Sequence, residues 1–133
     1  MNELPGVLYS SYEYYLEPVV QLKVDYVEDV KSGTTNQYIT IGGTVKIFGH
    51  NLRIVGTNPT VGVEFIGTEP QAPEYPVPAV DIVVNNPSEL LVVAPDLPSE
   101  EVALRITTQY SGNTSILLKD SRSTVFEKIF TVK

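Results

Sequence analysis

The chain predicts an all-β domain of two packed sheets, and three observations carry that prediction. Short apolar stretches with period-two alternation recur from Val19 to the C-terminus at roughly ten-residue spacing. Between them stand residues that turn the backbone: Gly42-Gly43, Asn85-Asn86-Pro87-Ser88 and Ser111-Gly112-Asn113. Eight Tyr together with many Val, Ile and Thr suit pleated, half-buried surfaces, while ten Pro and nine Gly interrupt the chain too often for long helices.

The first strand begins at Val19. Val20, Leu22, Val24 and Tyr26 share one face, and Gln21, Lys23 and Asp25 the other. Val27 and Val30 break that phase, which predicts a bulge or a crossing between sheets near Glu28. Lys31–Tyr38, K-S-G-T-T-N-Q-Y, reads as a polar loop. Thr44–Gly49 is the second strand, with Val45 and Ile47 inward, and Leu52–Val55 a short return. Val61–Ile66 is the third, with Val61, Val63 and Phe65 inward. Thr68–Pro78 carries four prolines, which rule out a central strand and favour a stiff, extended loop. Val80–Val84 is the fourth strand. The fifth turns Leu90, Val92 and Ala94 inward and stops at Pro95. The sixth runs from Glu101 to Tyr110 with Val102, Leu104, Ile106 and Thr108 on one face. Ile116–Leu118 reads as a short strand, and Thr124–Val132 as the last of about seven main ones.

Residues 1–18 form a separate unit, an N-terminal arm ahead of a sandwich over 19–133. The arm holds Tyr9, Tyr12, Tyr14 and Tyr15 with three glutamates and no basic residue. Such an arm either folds back on its own domain or docks on another subunit, where Tyr gives large contact area at low entropy cost.

Composition excludes several function classes. The net charge is −7, from nine Lys and Arg against sixteen Asp and Glu. Tight nucleic-acid binding by this chain alone is not expected, because displacing counterions from phosphates needs a basic face. With no Cys, there is neither a disulfide staple nor a thiolate metal site. No apolar run approaches the ~20 residues of a membrane span, and the first residues, M-N-E-L-P-G, lack the basic start of a signal peptide.

Candidate chemistry is sparse. His50 is the only histidine, and F-G-H-N-L gives it neither an orienting carboxylate nor an oxyanion hole. It reads as a turn residue. Glu100-Glu101, Asp96 and Asn85-Asn86 do not make the converging oxygen array that calcium needs. Glu28 and Asp29, as neighbours on a strand, point to opposite faces and read as structural. Gly42-Gly43 precedes a strand, unlike a phosphate-binding loop. No catalytic residue, cofactor or metal is expected. The best exposed binding candidate is the proline-rich loop, with Tyr75 and Pro76, since a stiff loop loses little entropy on contact. Unpaired edge strands are a second candidate.

The motif G-G-x-V-x-I-x-G-x-N-L at Gly42–Leu52, with S-E-L-L-V-V-A-P at Ser88–Pro95, resembles the immunoglobulin-like domains shared by plexins and transcription factors. A more extended resemblance runs through D-V-K-S-G (Asp29–Gly33), N-P-T-V-G-V-E-F (Asn58–Phe65), N-N-P-S-E-L-L-V (Asn85–Val92), T-T-Q-Y-S-G (Thr107–Gly112) and L-L-K-D-S-R (Leu117–Arg122). In that order the blocks look like a bacterial family in which an HU-like DNA-binding domain precedes this immunoglobulin-like one. The resemblance covers about residues 20 to 133 and implies an immunoglobulin-like sandwich. The HU-like half has no counterpart in this sequence, so no DNA-binding residue carries over. Related modules also occur in bacteriophage virions.

The resulting expectation is a non-enzymatic structural or assembly protein, an oligomer or part of a larger complex. It would dock on a protein partner, or self-assemble, through Tyr9, Tyr12, Tyr14, Tyr15, Tyr75 and Pro76. Its most concrete form is a virion component at the capsid or head–tail junction. The alternative is a cytoplasmic accessory domain of an HU-like nucleoid-type protein.

Overall fold

The computed structural model describes residues 21–98, 100–113 and 115–133. The arm, with Tyr9, Tyr12, Tyr14 and Tyr15, lies outside the described residues, as do Val19 and Val20. Among the described residues eleven strand segments form two sheets. The first sheet contains β1 (Lys23–Asp29), β2 (Thr34–Thr35), β4 (Thr44–His50), β7 (Ile82–Asn85) and β8 (Glu89–Val93), in the order β2-β1-β4-β8-β7. The second contains β3 (Tyr38–Ile39), β5 (Gly62–Gly67), β6 (Glu74–Pro76), β9 (Glu101–Tyr110) and β11 (Phe130–Val132), in the order β3-β11-β9-β5-β6. β10 (Leu117–Val125) also pairs with β9. All pairings are antiparallel except β3 with β11.

The core lies between the sheets, where the alternation of the strands placed it. Val45, Ile47, Leu90 and Val92 of the first sheet meet Val63, Phe65, Leu104, Ile106 and Phe130 of the second, all at most 1% exposed. Burying such a side chain is worth about 1.5–3 kcal/mol. This packing holds the sandwich without a disulfide.

The structure departs from the sequence reading where backbone register, not hydrophobicity, decides. The bulge in β1 falls between Val24 and Tyr26, not near Glu28. It turns Val24, Val27 and Asp29 inward and Tyr26 out, where its ring stacks on Phe48 at 4.7 Å. Within Lys31–Tyr38, expected as loop, β2 closes a hairpin on β1 and β3 begins. Leu52–Val55 forms no strand, although Leu52 is fully buried. The proline-rich stretch contains the edge strand β6, a position that tolerates proline. Val80 lies in a 3₁₀ turn, Ala79–Asp81, ahead of β7. The expected last strand is two: Thr124 and Val125 end β10, and Phe130–Val132 is β11.

Candidate interaction surface

The outer face of the second sheet carries a groove of about 550 Å³ between β5, β6, β9 and β10. Glu64, Glu74, Pro76, Arg105, Thr107 and Ser123 are among its lining residues. Glu64 and Arg105 are cross-strand partners on β5 and β9, and Glu64 also faces Pro76 of β6. That register brings one guanidinium between two carboxylates. Arg105 Nε donates to Glu64 Oε1 at 2.6 Å and its Nη2 to Glu74 Oε2 at 2.7 Å. Nη2 also contacts Glu64 Oε1. The bonds to Glu74 and Glu64 outweigh burial and raise the Arg105 pKa. With its Nε and Nη2 engaged by two carboxylates, Arg105 ties β6 to the sheet and leaves this cluster net negative, a poor cradle for phosphate. On the groove floor the hydroxyls of Thr107 and Ser123 share a hydrogen bond of 2.7 Å.

β6 forms one edge of this sheet. Gly67 N–H donates to the Pro73 carbonyl and Val77 N–H to the Val63 carbonyl. Antiparallel alternation then turns the backbone of Glu74 and Pro76 outward, and Pro76 has no N–H to offer an added strand. The proline-rich stretch is therefore a blunted edge with an exposed ring at Pro76. Tyr75, expected as an exposed contact, is half-buried and packs against the core, because its side chain alternates inward opposite Phe65.

The other candidates resolve into structural roles. His50 ends β4, exposed, with Nε2 at 3.0 Å from Asp25 Oδ2, so it contacts a carboxylate on the neighbouring strand. Glu28 and Asp29 diverge as expected: Glu28 is half-buried, and Asp29 is 1% exposed. Asp29 accepts from the Thr40 hydroxyl at 2.7 Å and from the backbone N–H of Thr40 and Ser32. Burial alone would raise its pKa; its bonds to Ser32 and Thr40 outweigh that and hold it below the usual carboxylate value. Among the described residues no three His, Cys, Asp or Glu side chains converge as metal ligands.

The sequence reading missed Arg105 and Glu64. The signal was present as opposite charges at outward positions of two strands, but pairing them requires the register of β5 against β9.

Two packed, almost wholly antiparallel sheets with an apolar centre define an immunoglobulin-like β-sandwich. The chain belongs to the family described as a domain of unknown function (DUF4469) with an Ig-like fold, whose model matches residues 23–124. Among solved structures it is similar to one described as a "Putative bacterial DNA binding protein" from Bacteroides vulgatus. The two share 27% identity with a TM-score of 0.78, over 98% of this chain and 52% of that one. The chain thus spans about half the length of that protein. None of the curated proteins matches it.

Proposed function

We propose that the chain is a non-enzymatic interaction module, an accessory immunoglobulin-like domain that serves a DNA-associated assembly by binding protein rather than DNA. One observation carries this reading. The chain aligns over nearly all its length with about half of a protein described as DNA-binding, yet carries a net charge of −7. In such a protein the acidic half is ill suited to phosphate contact, and the remaining half would supply it. An HU-like domain is the candidate for that remaining half, and the cytoplasm is the matching location. The groove beside Pro76, with Glu74 57% exposed and net negative charge, suits a partner segment bearing Lys or Arg. The virion form of an assembly role lacks support from the family or from the Bacteroides vulgatus protein.

Two measurements on the full chain test the reading. Fluorescence anisotropy with a labelled duplex should show no binding at low salt; tight binding with a steep salt dependence would place DNA contact in this domain. A photo-crosslinking residue at Glu74, used in the source cell, should capture a protein component of a DNA-associated complex. Absence of a protein adduct would sink the groove as the docking surface.

A further inference from the structure

On the second sheet half of the groove residues are charged or hydroxylic, Glu64, Glu74, Arg105, Thr107 and Ser123 among them. On the first sheet the register sets Tyr26 beside Phe48, and Leu91 beside Val84. Phe48 pairs with Glu89 and Lys46 with Leu91, so Phe48 and Leu91 are diagonal neighbours, a separation that large side chains bridge. Tyr26, Phe48, Leu91 and Val84 thus form an apolar band across β1, β4, β8 and β7. Tyr26 is 43% exposed. Phe48, Leu91 and Val84 are half-buried, and Lys46 and Glu89 flank the band; an outer sandwich face is normally polar, and apolar surface there marks a contact surface.

We propose that this band is the docking site of residues 1–20 of the same chain. The exit point of that segment is fixed beside it. Asn51 Nδ2 donates to the Gln21 carbonyl at 2.7 Å, and Lys23 pairs with His50, two residues from Phe48. Tyr12 lies nine positions before Gln21, a reach of about 30 Å when extended. The band spans three strand spacings, about 14 Å. The segment supplies matching surface in Tyr9, Tyr12, Tyr14, Tyr15, Leu8 and Leu16. Tyrosine suits such a place because its ring covers apolar neighbours while its hydroxyl stays in water. The short tether holds the segment at an effective concentration of order millimolar, so in dilute solution the chain's own segment wins over a neighbour's.

The absence of native cysteine gives a clean test. A nitroxide on Ser11→Cys in the isotope-labelled full chain should broaden the amides of Phe48, Leu91 and Val84. Those of Glu64 and Ser123 on the other sheet should stay sharp. Equal broadening on both sheets, or none on the first, overturns the proposal. So does broadening seen in a mixture of spin-labelled unenriched chain with enriched label-free chain, which would mean docking between molecules. A Phe48→Ser, Leu91→Ser variant that keeps a dispersed spectrum should lose the effect. Should that variant unfold, the comparison of the two sheets in the unaltered face still decides.

Discussion

Asn85 closes both hydrogen bonds of the Ile54 peptide: its Oδ1 accepts from Ile54 N–H at 2.7 Å, and its Nδ2 donates to the Ile54 carbonyl at 2.9 Å. A side-chain amide thus does for Leu52–Val55 what a neighbouring strand would have done. Thr108 holds the same segment from the other sheet, its hydroxyl donating to the Arg53 carbonyl. Asn85→Ala removes both bonds and leaves a half-buried peptide unmet, a loss of about 2 kcal/mol. Urea unfolding should show a lower midpoint with an unchanged slope.

Gly49 sits opposite Val24, where β1 bulges toward β4. A Cβ there would lie 2.0 Å from the Lys23 carbonyl oxygen and 3.0 Å from Val24 Cα, both backbone atoms. Gly49→Ala must push β1 away, at about 1–3 kcal/mol. Hydrogen exchange should accelerate first at Lys23 and Val24.

Gln109 is 5% exposed yet joins three segments. Its Oε1 accepts from Thr57 and Asn58 N–H, both at 2.8 Å, and its Nε2 donates to the Leu118 carbonyl. Gly56, at φ 142°, makes room for it, since a Cβ there would fall 2.3 Å from Oε1. Gln109→Leu should cost about 2–3 kcal/mol and speed amide exchange at Thr57 and Asn58.

Asp29 sets an acid limit on stability. Its folded pKa lies below the unfolded one, about 3.9, so its contribution is fully present above that value. It fades as pH falls below about 4 and through the folded pKa. Asp29→Asn should therefore be less stable than the native chain by about 2 kcal/mol at neutral pH. The gap should close progressively below about pH 4. A constant gap down to pH 2 would assign the loss to shape rather than charge.

Much of the fold was legible because inward residues announce themselves by alternation. Thr44–Gly49, Val61–Ile66 and Glu101–Tyr110 matched β4, β5 and β9 to within a residue at either end. The proline density correctly barred a central strand. The half-burial of Tyr75 was not legible, because a tyrosine among prolines looks exposed until its strand partner, Phe65, is known. Composition by itself determined that the domain is acidic, cysteine-free and built from strands, since those follow from residue content and local period. Tertiary structure alone decided where β1 bulges, that Asn85 stands in for a strand, and that Arg105 lies between Glu64 and Glu74. These depend on register between segments 22 to 41 residues apart. Local propensity carries no information about which distant backbone a strand will face, and a slip of one residue exchanges inside for outside.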